Sequence, residues 1–221
     1  MDKPRHRSSR SRAGKARGKR EQSMERIRSA AIKVFSTKGF DGASIREIAR
    51  TANVSDALIH TYFGRKDALW RSVAAEYYDT MHKHSDAALM QCEPADELDE
   101  MRLRAHNLME FLTDHSGLHA LIAPELRHRT ARTEFLVSTF YHPRFFTALR
   151  GIEKAQAAGH LPSGNPALLN ILVVSLASTL AQRAGEIEIL TGKSIHDKEL
   201  QEEFWGIIEA LIFRRDDQGT G

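Results

Sequence analysis

The chain holds a single cysteine, Cys92, among its 221 residues. That excludes an intrachain disulfide framework and any zinc site built on several thiolates, and it fits a reducing compartment. Long apolar runs are equally scarce. The most apolar stretch, Ile171 to Ala181, is interrupted by Ser175, Ser178 and Thr179. It falls short of the roughly 20 apolar residues a membrane helix needs, so no membrane partner is expected. The first residues have no apolar segment of the kind a secretory signal requires, and a cytoplasmic location is expected. Alternating apolar and polar residues, the mark of a half-buried strand, are also missing, as are internal repeats.

Catalytic signatures are absent too. There is no glycine-rich phosphate loop and no G-x-S-x-G elbow. Of the eleven histidines, His115 and His119 stand four residues apart and can share a helix face, whereas His82 and His84 cannot. No acid or thiolate is placed to complete a metal site with either pair. No enzyme, metal or cofactor is expected; an unidentified small-molecule effector is compatible with the sequence.

Charge, by contrast, is plentiful and unevenly placed. Residues 1–20 hold nine Lys or Arg against the single acid Asp2, a local balance of +8, while the whole chain carries +3 and the remainder therefore −5. Residues 1–20 have almost nothing to bury, and they read as a disordered basic arm. Such an arm either keeps the chain soluble or seeks a polyanion, nucleic acid first.

From Glu21 the pattern becomes helical. Ile27, Ala30, Ala31, Val34 and Phe35 recur at helical spacing, giving one apolar face. Gly39 supplies a left-handed stop, and Phe40 can fold back on the last turn. Ser44-Ile45-Arg46-Glu47 reads as a capping box, followed by a buried stripe of Ile45, Ile48, Ala49 and Ala52. Asn53 tolerates positive φ, Val54 plugs the turn, and Ser55 caps the next short helix, whose inward residues are Ile59 and Phe63. A fourth helix starts near Lys66. Beyond it the chain reads as helical throughout. Asn165-Pro166 opens a long helix through about Ala184, and a final amphipathic helix covers roughly Asp197–Arg214.

Two short helices joined by Asn53-Val54-Ser55 fit a helix-turn-helix whose second helix enters a major groove. An ordinary αα-corner fits the spacing equally well. The outward face favours DNA. Ala57 and Leu58 can meet thymine methyls, and His60, Thr61 and Tyr62 can donate to phosphates or base edges. Arg46 can reach a guanine, and Lys66 stands at a helix start that suits phosphate. Ser44 and Ser55 complete the candidate DNA-binding set. Asp56 repels phosphate unless it meets a cytosine amine or serves the helix dipole.

The stretch Arg26 to Leu69 resembles the N-terminal domain of the TetR family of transcriptional regulators. The resemblance rests on Ala31 to Phe35, Lys38-Gly39-Phe40, Ser44-Ile45-Arg46-Glu47-Ile48-Ala49, Val54-Ser55, Ile59, Phe63 and Lys66-Asp67-Ala68-Leu69, and it covers about a fifth of the chain. Three positions depart from the pattern. Asn53 replaces the turn glycine, His60 the usual tyrosine, and Tyr62 the usual histidine; both of the latter still hydrogen-bond phosphate. The resemblance implies an all-α fold, with a three-helix DNA-binding domain (21–66) followed by a helical regulatory and dimerisation domain (67–216) and a disordered tail (217–221). It also implies a homodimer that binds double-stranded DNA beside the nucleoid, a palindromic operator, and a small-molecule ligand.

In that family the last two long helices of each subunit form the dimer interface. Here the candidates are Leu172, Ser175, Leu176, Thr179, Phe204, Ile208 and Leu211. A ligand pocket between the middle helices would draw on Tyr77, Met81, Met101, Met109, Phe111, Phe135, Phe140 and Phe145. The competing expectation is a sequence-indifferent architectural DNA binder driven by the basic arm, with a steep salt dependence.

Overall fold

The computed structural model describes the backbone of residues 8–213 and the side chains of residues 17–213 other than 142–144 and 147. Lys3, Arg5 and Arg7 of the basic arm, residues 214–216 and the tail 217–221 lie outside the described residues. Every regular element among the described residues is helical, as expected for an all-α chain. The chain divides into two compact units, Met1–Ala74 and Ala75–Gly221.

In the first unit, α1 spans Ser8–Gly42. It therefore begins within the segment expected to be unstructured, and the Arg, Lys and Ala that fill this segment are good helix formers. Ile27, Ala30, Ala31, Val34 and Phe35 are buried. The helical path breaks at Gly39, whose φ of 69° and ψ of 175° are open only to glycine. The break lets Phe40 fold back, stacked on Phe35 at 5.9 Å and edge-on to Trp70 at 6.4 Å.

The next helix, α2, spans Ile45–Ala52, with the Ser44 hydroxyl accepting from the Glu47 amide at 3.2 Å. Only half of the expected capping box forms. The Glu47 carboxylate meets the Lys38 ammonium of α1 at 2.7 Å, a stronger partner than a cap amide. Asn53 closes α2 in the left-handed region (φ 53°, ψ 53°), as its side-chain type allows. Helix α3 spans Asp56–Phe63, capped by Ser55, and stops at Gly64. Helix α4 spans Lys66–Cys92. Its Leu69, Trp70 and Val73 are fully buried, so the first unit extends past residue 66.

The second unit continues with α5 (Glu97–Asp114), α6 (Ser116–Ile122), a 3₁₀ turn at Ala123–Arg127, α7 (Ala131–Leu136), a π-helical turn at Val137–Tyr141 and α8 (His142–Ala157). Three short helices follow, α9 (Pro166–Ala177), α10 (Thr179–Gln182) and α11 (Ala184–Thr191), and then α12 (Lys198–Ile212). Asn165 caps α9 ahead of Pro166, as the sequence suggested. The single helix expected from Pro166 to Ala184 is interrupted at Ser178 and Arg183. The hydroxyls of Ser178 and Thr179 both donate to the Ser175 carbonyl, at 2.9 and 3.0 Å, and such back-bonding bends helices. A core of Met109, Ile152, Leu169, Leu180, Ile208 and Ile212 holds α5, α8, α9, α10 and α12 together.

Candidate nucleic-acid interface

Helix α3 is short because its ends are firmly set. Ser55 accepts from the Leu58 amide at 3.3 Å, and the Gly64 amide donates back to the His60 carbonyl at 3.0 Å. Burial of Ile59, with no exposed surface, fixes its rotation. That rotation leaves Ala57, His60 and Thr61 exposed and Leu58 and Tyr62 half-buried. The Thr61 hydroxyl donates to the Ala57 carbonyl at 2.8 Å, and the His60 Nδ1 atom lies 2.9 Å from the Gly64 carbonyl. Asp56 is the one formally charged residue of α3 and stands in its first turn, where the helix dipole favours an acid.

Cations frame this face. Arg46 is exposed in the first turn of α2. The Arg20 guanidinium of α1 lies 5.4 Å from the centre of the Tyr62 ring, and the Arg28 guanidinium lies 5.6 Å from that of Phe63. Arg20 was legible only as part of the basic run; its pairing with a ring 42 positions later has no local sequence signal.

Lys66 corrects an expectation. Its ammonium donates to the Phe40 and Ala43 carbonyls, at 2.8 and 2.9 Å, and sits 4.4 Å from the Phe40 ring centre. It satisfies carbonyls left open where α1 kinks, and so braces the turn before α2 rather than presenting its charge to a phosphate. Ser44 and Ser55 likewise serve first as caps.

The candidate pocket residues of the second unit divide into separate groups. Tyr77 meets Phe111 at 5.6 Å and Tyr78 at 5.1 Å. Tyr78 stacks on Phe140 at 4.5 Å, and Phe140 meets Phe135 at 5.5 Å. These rings form one array. Burial raises the Tyr77, Tyr78 and Tyr141 hydroxyls above the usual phenol range, Tyr141 adding to the effect at the first two. Met109 corrects another expectation: it is fully buried in the main core beside Ala105 and Ile152, with Met101 packed against the same cluster. Phe145 pairs with Phe146 at 6.1 Å, and Met81 is half-buried.

Among the interface candidates, Leu172, Ser175 and Leu211 are exposed, and Leu176, Thr179 and Phe204 are half-buried. Ile208 is 1 % exposed and belongs to its own core, so it is not available to a partner. The exposed apolar residues of α12 are Ile207 and Leu211, and those of α9 are Leu168, Ile171 and Leu172. Of the α12 candidates only Ile208 is misplaced; its neighbour Ile207 is the exposed one.

Two short helices meeting through a left-handed Asn53, the second presenting small and hydrogen-bonding side chains, form a helix-turn-helix, the motif whose second helix fits a major groove. Residues 27–73, about a fifth of the chain, match the model of the bacterial regulatory proteins of the tetR family. The chain is 25 % identical over 116 residues to a probable HTH-type transcriptional regulator, YttP, from Bacillus subtilis, covering 52 % of this chain and 56 % of that protein. It is 28 % identical over 109 residues to the HTH-type transcriptional repressor NicS from Pseudomonas putida, covering 49 % and 50 %. The chain thus spans about half the length of these curated relatives, which are named as regulators of transcription and not as enzymes. The fold also matches the crystal structure of AibR in complex with isovaleryl coenzyme A and operator DNA, with a TM-score of 0.68 and 13 % identity over 85 % of this chain and 97 % of that one. Among the described residues no helix is long and apolar enough to cross a membrane.

Proposed function

We propose that this chain is a ligand-responsive, homodimeric transcriptional repressor that binds a palindromic operator through α3, in the cytoplasm at the nucleoid. The observation that carries the reading is the exposed face of α3, with Ala57, His60 and Thr61 outward and cations from α1 and α2 on its flanks. A helix so placed fits a major groove, and a two-fold protein matches two half-sites one turn apart. The second copy would cover the exposed apolar stripe of Leu168, Ile171, Leu172, Ile207 and Leu211, since contiguous apolar patches of this kind mark association sites. An inducer acts by binding the DNA-incompetent conformation more tightly than the competent one. The neighbour AibR, crystallised with both an acyl coenzyme A and operator DNA, supports ligand response.

Residues 1–20 favour a second reading, sequence-indifferent DNA binding. Both readings meet one experiment: selection of bound sequences from a random double-stranded DNA pool at about 0.15 M salt, where the Debye length is about 8 Å. The full chain is compared with a form lacking residues 1–16. A palindromic motif recovered by both forms establishes the operator reading, with the arm adding only phosphate contacts. Recovery of no motif, with binding that vanishes as salt rises and is lost on truncation, replaces it with the architectural reading.

A further inference from the structure

Polar groups buried in the second unit are almost all accounted for. The Thr113 hydroxyl donates to the Met109 carbonyl at 2.8 Å, and the Gln201 amide to the Ile195 carbonyl at 2.7 Å. His119 lies 3.4 Å from the Tyr77 hydroxyl and 3.2 Å from the Gln182 amide, which in turn donates to Ser178 at 2.7 Å. Two buried nitrogens of this unit break the pattern. Asn107 is 6 % exposed, and its Nδ2 has no hydrogen-bond partner among the described residues; nor does Nε2 of His84. Leaving a buried donor unmatched is costly, and in folded proteins such groups are few and usually mark a place for something not of the chain.

Both nitrogens belong to one neighbourhood. Phe111 is its hub: the His84 ring lies 5.7 Å away, Tyr77 5.6 Å away, and His115 is stacked at 4.2 Å. Asn107 precedes Phe111 by four residues on α5 and so shares its face. The Arg104 guanidinium, which donates to Ser85 beside His84 at 3.4 Å, is already matched by Glu100 at 2.7 Å.

We propose that the aromatic layer around Phe111 binds a flat, uncharged aromatic molecule bearing a carbonyl oxygen, with the Asn107 amide donating to that oxygen and His84 Nε2 as the second polar contact. The reading rests on the ligand-responsive function above and names the ligand class. Tyr77 and Phe111 are buried among other rings, so the ligand inserts into this layer and replaces ring–ring contacts with its own. The Asn107 Nδ2 group can only donate, so its partner is an acceptor. A charged ligand is disfavoured because burying an ion without a free counter-charge is expensive: Arg104 is taken, burial keeps His119 largely neutral, and burial keeps the neighbouring phenols protonated.

The test uses the full-length chain and three probes that differ in one group: 2-acetonaphthone, 2-ethylnaphthalene and 2-naphthoate. Affinities are read by calorimetry and by thermal shift. The expected result is that the ketone binds about tenfold more tightly than the hydrocarbon or the carboxylate, the size of effect one buried hydrogen bond produces. Asn107→Leu removes the donor at similar volume and should abolish that preference without lowering the melting temperature of the ligand-free protein. Should Asn107→Leu fail to fold, His84→Phe retains the ring and reports on the second contact through a several-fold loss for the ketone alone. Equal binding of all three probes, a ketone preference that survives both substitutions, or no binding of any probe overturns the proposal. Operator binding measured on the same protein separates the outcomes: if it persists while the probes fail, only the ligand class falls.

Discussion

The two units are built from the same kind of element yet specify it differently. In the first, each helix end has its own local device: a positive-φ glycine at Gly39, Ser44 and Ser55 as caps, a left-handed Asn53 and a final Gly64. In the second, Asp96, Asn165 and Asp197 cap helices locally too, but the bends between them carry contacts made at a distance. The π turn at Val137–Tyr141 brings Phe140 against Tyr78, and the break at Ser178 brings Gln182 to His119. A unit defined locally can present one fixed surface. A unit defined by packing among many short helices has more ways to rearrange, because interfaces between helices have discrete alternatives. On the proposed function, the division suits a rigid reader and an adjustable sensor.

The contrast can be broken or sharpened by substitution. The largest effect is expected from Ile59→Ala. Its fully buried side chain makes a cavity costing about 2–5 kcal/mol, a large share of what a small unit holds. Thermal melting followed by hydrogen exchange should show residues 27–73 losing protection first, with DNA binding lost; loss of protection spread evenly over both units would dissolve the contrast. Next comes Ile207→Glu combined with Leu172→Glu. An unpaired carboxylate on the apolar stripe costs several kcal/mol in a closed interface, so sedimentation should show monomers with intact helicity. Persistence of dimers would move the interface elsewhere. Ile208→Glu, one residue on, should instead unfold the second unit.

A smaller effect is expected for Lys66→Met. The ammonium makes two bonds to carbonyls at a half-buried site, and its loss should cost about 1–2 kcal/mol after allowance for solvent. The salt dependence of DNA binding should stay the same; a slope reduced by about one per protomer would restore the phosphate role. The smallest effect concerns His119. Burial lowers its pKa below the usual histidine value. As pH falls through about 6.5 the unfolded chain takes up a proton before the folded one. The contribution of the neutral, buried ring is therefore intact above that value, shrinks as pH drops toward the folded pKa, and is gone below it. Denaturant titrations from pH 8 to 5 should show this decline, and His119→Gln should flatten it.

How much of this was legible in sequence follows the same line. The three-helix unit and its turn were readable because Ser44, Asn53, Ser55 and the apolar period act within a few residues of themselves. What escaped was non-local. Glu47 prefers Lys38 to its own cap, and Lys66 serves carbonyls 23 and 26 positions earlier. On α12, periodicity locates an apolar face but not which neighbour covers it. Ile207 and Ile208 are about 100° apart on the helix, and only the packing decides that one is core and the other surface. The same limit separates Met109, packed beside Ala105 and Ile152, from the equally buried rings of Tyr77 and Phe111, which pack on each other. Asn107 carries no signal in the sequence, since a single asparagine in a helical run has no pattern until its neighbours are known.

The bond from His60 to Gly64 has a consequence for the alphabet that α3 can spell. A carbonyl only accepts, so the proton of the neutral ring resides on Nδ1, and Nε2 is left with a lone pair. In a major groove that lone pair seeks a proton, which adenine offers through its N6 amine and cytosine through its N4 amine, whereas guanine and thymine turn only acceptors or a methyl group toward it. On the operator reading, the base that His60 touches is thus adenine or cytosine, chosen by an acceptor, and the choice was made by the glycine that ends the helix.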